Sequence, residues 1–177
     1  IYMNFKELDI PGVFLITNFY QNDNRGTFVK PFSIDENSIK IDIKEIYYSI
    51  SHKGVVRGMH FQIPPKDHSK LIYVTSGEIV DVILDLRENS ITYNSHLAIK
   101  INAHKSAIFL PPGIAHGFIS KKDNTIVVYN QSTTYSRNHD YGILWNSFGY
   151  DWGESNPIIS KRDNNFPPLH DFNTPFK

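Results

Sequence analysis

An all-β fold is predicted for this chain by three features of its sequence. Short runs of β-branched and aromatic residues follow one another along most of the chain. Several runs alternate with period two: within residues 79–86, Val80 and Val82 share one face, whereas Asp81 and Asp85 share the other. Clusters of Gly, Pro, Asn and Asp, which favour turns, separate the runs. Many short strands joined in this way are typical of an antiparallel sandwich or barrel.

Ten strands are predicted in chain order, each bounded by turn residues. They comprise residues 13–20, 27–32, 43–50, 71–75, 79–86, 96–101, 107–110, 115–119, 126–131 and 142–145. The strongest turn signals are the double proline at 64–65 and the Pro-Pro-Gly segment at 111–113. A short helix is predicted only at residues 34–38. After Trp152 the composition shifts towards Pro and Asn, so residues 153–177 are expected to form an irregular tail over the surface.

Length and composition exclude several classes of protein. The 177 residues, 40% of them hydrophobic, favour one domain over residues 1–177 with a sizeable core. Lys and Arg number 18, as do Asp and Glu, which argues against a nucleic-acid-binding or polybasic membrane protein. There is no cysteine, so disulfides, thiolate metal sites and a cysteine nucleophile are excluded. No apolar run is long enough to span a bilayer, and no secretory signal is visible, so a cytoplasmic protein is expected.

Polar and ionisable residues are dense in the segment 54–62, which contains Arg57 and His60 and is followed by Lys70. Residues three apart on a strand normally face opposite sides of the sheet. Gly58 stands between Arg57 and His60 and permits a bulge or a close backbone approach that would change this. A histidine, an arginine and a lysine beside inward-facing aromatic residues are expected to form a pocket at the mouth of the barrel.

A metal site is the competing interpretation of the histidines at positions 60, 68, 104 and 116. However, no His-x-His pair occurs, and no glutamate stands at ligand spacing after His60. The paired ligands that one strand would supply are therefore missing. A lone histidine on a strand is more often a hydrogen-bonded structural residue, and no bound metal is predicted.

Seven motifs occur in one order along the chain. They are DNRG at 23–26, KGVVRGMHFQ at 53–62, KLIYVTSGEIVDVILDLR at 70–87, SITY at 90–93, LPPGIAHGF at 110–118, VVY at 127–129 with Tyr135, and ISKRD at 159–163. In these motifs the sequence resembles the dTDP-4-dehydrorhamnose 3,5-epimerase family, the cupin-type sugar-nucleotide epimerases. The resemblance extends from residue 12 to residue 163, which is most of the chain.

The resemblance implies a fold and a reaction. The fold is a cupin, a double-stranded β-helix or jelly-roll sandwich with short peripheral helices. The reaction inverts C3, or C3 and C5, of a nucleotide-linked 4-keto-6-deoxy sugar without metal or redox cofactor. The ketone acidifies the neighbouring C–H bonds because the carbanion is delocalised as an enolate, so the site needs a base, an acid and a charge near the enolate oxygen. Such reactions belong to deoxysugar biosynthesis for surface polysaccharide, including the O-antigen of lipopolysaccharide.

By motif position, the resemblance assigns four catalytic residues. His60 corresponds to the base and Asp163 to the carboxylate that orients its ring. Tyr129 corresponds to the proton donor on the opposite face of the sugar. Lys70 corresponds to the cation near the enolate oxygen. Taken without the family, Tyr129 is one of ten tyrosines and Lys70 a surface charge at the start of a strand.

The resemblance also implies a set of substrate-binding residues. Arg25 and Arg57 correspond to residues that hold the diphosphate and sugar, for which a guanidinium is suited; a structural pair of a buried arginine with Asp81 or Asp85 is the alternative. Tyr135 corresponds to a position near the sugar or nucleotide. His116 is expected in the same barrel mouth, mainly as a structural residue, and Asp81 is expected to help position the site.

The chain departs from the family where the nucleotide is expected to bind. The family typically has Glu two residues after the phenylalanine that corresponds to Phe28, whereas this chain has Lys30. The usual Gln and Asn ahead of the arginine motif are replaced by Glu45 and Tyr47. These changes alter the donors and acceptors that a base edge would meet. A dTDP sugar is therefore one candidate substrate, with CDP, GDP and UDP sugars as alternatives.

Two further expectations follow from the resemblance. Members of the family are homodimers in which an N-terminal strand crosses to the partner, so Arg25, Phe28 and Lys30 are expected to serve the neighbouring site. Two other functions remain open at this point: a cupin sugar-nucleotide 3,4-ketoisomerase, which shares the enolate chemistry, and a non-catalytic cupin that binds a sugar nucleotide or a metal.

Overall fold

The fold is almost entirely β, as predicted. The computed structural model describes residues 3–33 and 39–177; the helix predicted at 34–38 lies outside the described residues. The described residues form thirteen strands: β1 Asn4–Glu7, β2 Phe14–Thr17, β3 Phe19–Asp23, β4 Gly26–Lys30, β5 Glu45–Ser51, β6 Val56–Gln62, β7 Lys70–Ser76, β8 Glu78–Asp85, β9 His96–Asn102, β10 Ser106–Leu110, β11 Ile114–Ser120, β12 Thr125–Gln131 and β13 Asp140–Gly142.

Two antiparallel sheets face each other. The first sheet has the order β1-β2-β10-β7-β12-β5, and the second has the order β13-β6-β11-β8-β9. In the part of the chain that the structure describes, strands β3 and β4 pair only with each other, as a separate hairpin. Consecutive strands of the chain often lie in different sheets, which is the jelly-roll arrangement of the predicted sandwich.

Period-two alternation builds three apolar layers. Ile79 and Ile83 of β8 face the other sheet and join the central core between the sheets. Val82 and Leu84 point to the outer face of the second sheet, where later parts of the chain cover them. A third cluster lies on the outer face of the first sheet around Phe109. Asp81 and Asp85 share one face, as the sequence predicts, and the structure shows that this is the inner face, with Ile79 and Ile83.

Several predicted boundaries were wrong, for local reasons. The run predicted at 13–20 divides at Asn18 into β2 and β3, because the Asn18 amide donates to the carbonyl of Lys105 and the chain then leaves the sheet. Strand β1 was not predicted, since it is a short edge strand, and β6 was obscured by its glycine and charges. The strand predicted at 142–145 ends at Gly142 instead.

The tail after Trp152 is irregular, as predicted, but it does more than run over the surface. It contains two short 3-10 turns, Asp163–Asn165 and Leu169–Asp171. Phe172 and Phe176 pack edge-on against Phe61, so the tail closes the outer face of the second sheet. Scattered aromatic residues in a Pro- and Asn-rich segment explain this burial. Among the described residues, no helix is long and apolar enough to cross a membrane.

Candidate active site

The registers of β7, β12 and β5 build one wall of a pocket between the sheets. Lys70, Gln131 and Glu45 pair side by side across the three strands. Two residues further along each strand, Tyr129 stands beside Tyr47. Because side chains two residues apart share a face, these five residues all point to the same side of the sheet. The first sheet therefore presents a row of polar residues and a row of tyrosines to the pocket.

A bulge in β6 builds the opposite wall. His60 pairs with His116 of β11, whereas Arg57, three residues earlier, pairs with Phe118, only two residues later. The extra residue of β6 turns both Arg57 and His60 towards the pocket. Gly58 makes this possible: its φ is +142°, and a Cβ there would lie 2.5 Å from the Cα of Gly117. The close approach that the sequence predicts at Gly58 is therefore confirmed.

His60 and Asp163 form a hydrogen-bonded pair in this wall. The His60 Nε2 lies 2.9 Å from Asp163 Oδ1, while the other carboxylate oxygen accepts the Gly58 amide at 3.1 Å. Burial lowers the pKa of His60 below its ordinary value, although the bond to Asp163 acts in the opposite direction. Burial acts to raise the pKa of Asp163, but hydrogen bonds from His60, Gly58 and Ser160 hold it below the ordinary range. A neutral imidazole held by a charged carboxylate is suited to accept a proton.

Tyr129 is enclosed on the opposite wall. Only 6% of the residue is exposed. Its ring stacks on Tyr47 with centroids 4.7 Å apart, and the edge of His116 meets it at 6.0 Å. Its hydroxyl lies 3.3 Å from Ser49 Oγ. Burial raises the pKa of Tyr129 well above that of a free phenol, so the hydroxyl keeps its proton at neutral pH.

Lys70 supplies a positive charge to the pocket wall. The residue is buried, and its Nζ donates to the His60 carbonyl oxygen at 3.3 Å. Burial lowers the pKa of Lys70 to about 8, so the ammonium form still prevails at neutral pH. A buried ammonium beside the histidine is well placed to stabilise negative charge that develops there.

His116 and Asp81 form a second buried pair. His116 Nε2 lies 2.5 Å from Asp81 Oδ1, and neither side chain is appreciably exposed. The expected positioning role of Asp81 therefore acts on His116. Arg57 does not pair with Asp81 or Asp85: its Nε donates to Ser51 Oγ at 3.0 Å, and Asp85 is instead held by Arg87.

The pocket consists of two adjoining cavities that share Tyr47, His60 and Lys70 in their walls. The narrow cavity has a volume of about 270 Å³. Its remaining walls are formed by Ser49, Arg57, His116, Phe118 and Tyr129. The wide cavity has a volume of about 400 Å³. It is bordered, among others, by Glu45, Gln62, Gln131, Tyr135, Asp140 and Arg162.

Three of the predicted binding residues lie elsewhere. Arg25, Phe28 and Lys30 sit on the β3–β4 hairpin, and none of them borders either cavity of its own chain. The Arg25 side chain is 86% exposed and pairs with Asp23, and Phe28 is 61% exposed. The other predicted residues, Glu45, Tyr47, Arg57, His116 and Tyr135, all border one or both cavities.

Several pocket residues were missed in the sequence. Ser49 follows Tyr47 at strand spacing, and Gln131 follows Tyr129 in the same way, so period-two alternation alone could have found both. Arg162 directly precedes Asp163 and was overlooked within its motif. Phe166, whose ring meets His60 edge-on at 5.8 Å, had no recognisable signal because it comes from the irregular tail.

The arrangement can transfer protons on two sides of one small ligand. A neutral imidazole stands on one wall, and a protonated phenol and an ammonium stand on the other. Among the described residues, no group of three or more His, Cys, Asp or Glu side chains is placed to hold a metal ion. The chemistry that these residues themselves supply is general acid–base catalysis with a stabilised oxyanion.

Comparison with known proteins gives a consistent picture. The family model for dTDP-4-dehydrorhamnose 3,5-epimerase matches residues 7–171. The enzyme of that name from Methanothermobacter thermautotrophicus is 35% identical over 94% of this chain and 95% of its own. The one from Shigella flexneri is 33% identical over 92% and 94%.

A solved structure agrees with these relatives. The Bacillus anthracis dTDP-4-dehydrorhamnose 3,5-epimerase, crystallised with TDP and pyrophosphate, superimposes with a TM-score of 0.91. It is 32% identical, and the match covers 95% of this chain and all of that one. On the match to the family model and these relatives, the chain belongs to the dTDP-4-dehydrorhamnose 3,5-epimerase family.

Proposed function

We propose that this chain is a metal-independent epimerase that inverts C3, or C3 and C5, of a nucleotide-linked 4-keto-6-deoxyhexose in deoxysugar biosynthesis in the cytoplasm. One observation carries the proposal: His60, which is hydrogen-bonded to Asp163, borders the same narrow cavity as Tyr129 and Lys70. A sugar ring held in this cavity meets a base on one face and an acid on the other. Inversion of a carbon next to a ketone requires this arrangement.

The proposed reaction begins with proton removal by His60. The ring nitrogen that is not bonded to Asp163 takes the proton from C3, and the electron pair of the C–H bond moves into the enolate. Asp163 stabilises the imidazolium that forms. The Lys70 ammonium stabilises the charge on the C4 oxygen without surrendering its own proton. Because His60 and Lys70 both border the narrow cavity, both can reach one ligand.

The second step delivers a proton from the opposite face. The Tyr129 hydroxyl gives its proton to C3, a new C–H bond forms with inverted configuration, and the ketone is restored. The raised pKa of Tyr129 keeps the phenol protonated until the carbanion forms. The same base and acid would serve C5 after the ring turns in the cavity.

The nucleotide is proposed to extend into the wide cavity. A sugar at His60 and Lys70 leaves this cavity as the adjoining space, and the exposed Tyr135 ring offers a surface for a base to stack on. Arg57 and Arg162 border the two cavities and can hold a diphosphate. Glu45 also borders the wide cavity, and its carboxylate accepts hydrogen bonds only. It can pair with the amino group of a CDP or GDP sugar but with neither carbonyl of thymine, so we expect it to favour bases with an amino group.

We also propose that two copies of this chain pair as a homodimer. The β3–β4 hairpin carries Arg25, Phe28 and Lys30 outside the cavities of its own chain, where they can reach a neighbouring site. Edge strand β5 exposes a row of apolar side chains on its outer face: Ile46, Tyr48 and Ile50 are each more than half exposed. Pairing would cover this exposed edge strand and would let the two chains share a site, and both effects favour a homodimer.

The proposal is tested by offering dTDP-, CDP-, GDP- and UDP-4-keto-6-deoxyhexoses to the enzyme in deuterium oxide. We expect deuterium at C3 of the accepted sugar, with inverted configuration by NMR, and the ketone still at C4. His60→Ala should show no deuterium incorporation while it still binds the nucleotide. A ketone that moves to C3 would instead identify a ketoisomerase, and full exchange in His60→Ala would refute the assignment of the base.

A further inference from the structure

The proposed reaction leaves the enzyme in the wrong protonation state. After one inversion His60 carries the proton taken from the sugar, and Tyr129 has become a phenolate. The next turnover needs a neutral histidine and a protonated phenol, so one proton must leave His60 and another must reach Tyr129. His60 is partly exposed and borders a further cavity beside Ser160 and Arg162, so its proton can pass to water. The Tyr129 phenolate needs a separate route by which a proton can reach it.

Tyr129 is shielded from solvent on several sides. Tyr47 covers one face of its ring, and His116 meets it edge-on. The Nε2 of His116 is engaged by Asp81, so this histidine is held in a pair of its own. Within residues 3–33 and 39–177, the single hydrogen-bond partner of the Tyr129 hydroxyl is Ser49 Oγ, at 3.3 Å.

Ser49 is less buried than the tyrosine to which its hydroxyl is bonded. It belongs to β5, the edge strand of the first sheet, which among the described strands pairs only with β12. The residue is half-buried and borders the narrow cavity together with Tyr129. A serine hydroxyl both donates and accepts hydrogen bonds, which is the property that a proton relay needs.

We propose that Ser49 relays a proton from water to the Tyr129 phenolate after each inversion; this inference rests on the proposed function. The Ser49 O–H bond breaks as the phenolate oxygen takes the proton, and the serine oxygen takes a proton from a water molecule at the rim. The hydroxide that forms is neutralised by the proton that His60 releases to solvent. Ser49 touches the reaction only through Tyr129, and it is a positioning and relay residue.

The relay predicts a particular kinetic fault when the hydroxyl is removed. In Ser49→Ala the phenol is still present and protonated at the start, so the first inversion can proceed. Resetting of Tyr129 then becomes slow, and later turnovers wait for it. A residue that merely supported the fold or the phenol would slow the first turnover and the later ones alike.

The experiment is rapid-quench kinetics of wild type, Ser49→Ala and Ser49→Thr with the accepted nucleotide sugar. We expect a burst of about one inverted product per active site in Ser49→Ala, followed by a steady-state rate at least ~10-fold below wild type. Ser49→Thr keeps a hydroxyl and should abolish the burst and restore most of the rate. If the enzyme inverts both carbons, Ser49→Ala should also release the sugar inverted at one carbon only, because the reset falls between the two inversions.

Two outcomes would overturn the relay. One is an equal fall in the first and later turnovers of Ser49→Ala, which would mean that the serine only positions the phenol. The other is a steady-state rate equal to wild type. A wild-type enzyme that inverts no sugar of the panel would refute the proposed function, and the relay with it.

Discussion

The walls of the narrow cavity and the β3–β4 hairpin treat their charged residues in opposite ways. At the cavity, Lys70 and Asp163 are both buried: Lys70 donates a hydrogen bond to the His60 carbonyl, and Asp163, which lies behind His60, is bonded to the His60 ring and accepts from the Gly58 amide. On the hairpin, Arg25 is almost fully exposed and pairs with Asp23, two residues away. Burial acts on the pKa values of Lys70 and Asp163. Exposure leaves Arg25 available to a partner.

This contrast indicates a division of labour. Proton transfer needs groups whose pKa values and positions are controlled, and the two packed sheets supply both. Recognition of a phosphate or a base needs charge and aromatic surface, which an exposed hairpin can bring to a second subunit. We therefore expect substitutions in the cavity to change the rate of chemistry, and substitutions on the hairpin to change substrate binding.

The largest effect is expected from Tyr129→Phe. The phenol is the proposed acid on one face only, so its loss should reduce inversion by ~10³-fold. His60 should still remove the C3 proton, exchange it with deuterium oxide and return a deuteron to the same face. Deuterium would then enter C3 with the original configuration, which NMR in deuterium oxide detects. Tyr73→Phe, on the same sheet but outside both cavities, is the matched control. If Tyr129→Phe lost deuterium exchange as well as inversion, the assignment of base and acid to separate faces would be contradicted.

The next largest effect is expected on the pH dependence of activity, which Lys70 and His60 set. Lys70 has its pKa lowered to about 8 by burial, so activity should fall as pH rises through about 8 and the ammonium loses its proton. His60 has a lowered pKa, so activity should persist to a pH below its ordinary value near 6.5. Lys70→Met should reduce kcat ~100-fold and remove the alkaline limb from the rate profile. An unchanged alkaline limb in Lys70→Met would show that another group titrates there.

The same lysine makes a prediction about stability. Its folded pKa is lower than its unfolded value, so burial of the charged form destabilises the fold at neutral pH. This cost disappears as pH rises from about 8 towards the unfolded value, and the free energy of unfolding should gain accordingly. Urea denaturation of wild type and Lys70→Met at pH 7 and pH 9.5 measures it: the gain should be confined to the wild type. An equal change in both proteins would assign the pH dependence to other groups.

Much of the catalytic wall was predictable because its residues lie on strands with clear patterns or motifs. Alternation places Asp81 inward, and the glycine between Arg57 and His60 indicated that both could face one side. What the sequence concealed depends on packing between distant segments. Phe166 reaches His60 from the irregular tail, and the stacking of Tyr47 on Tyr129 requires the register of β5 against β12. Neither a tail contact nor a register leaves a local pattern.

A moderate effect on binding is expected from Arg25→Ala. Loss of one guanidinium that contacts a phosphate should raise KM about tenfold with little change in kcat. The assignment to the partner's site is tested by mixing Arg25→Ala with His60→Ala protein. If the hairpin serves the neighbouring subunit, mixed dimers contain one site with an intact hairpin and an intact base, and low-KM activity returns. Absence of such complementation would contradict the assignment of the hairpin to the partner's site; Lys122→Ala, exposed on another loop, is the control.

The smallest effect is expected on the preference for one nucleotide base over another, which we assign to Glu45. Glu45 Oε2 already accepts bonds from Gln131 Nε2 at 2.8 Å and from the Tyr135 amide at 2.6 Å. Glu45→Gln replaces an acceptor-only carboxylate by a neutral amide, which can also donate to the carbonyls of thymine. The ratio of kcat/KM for the dTDP sugar to that for the CDP sugar should rise about threefold to tenfold. Lower repulsion of the diphosphate would raise both values equally, so a constant ratio would mean that Glu45 senses charge and does not distinguish bases.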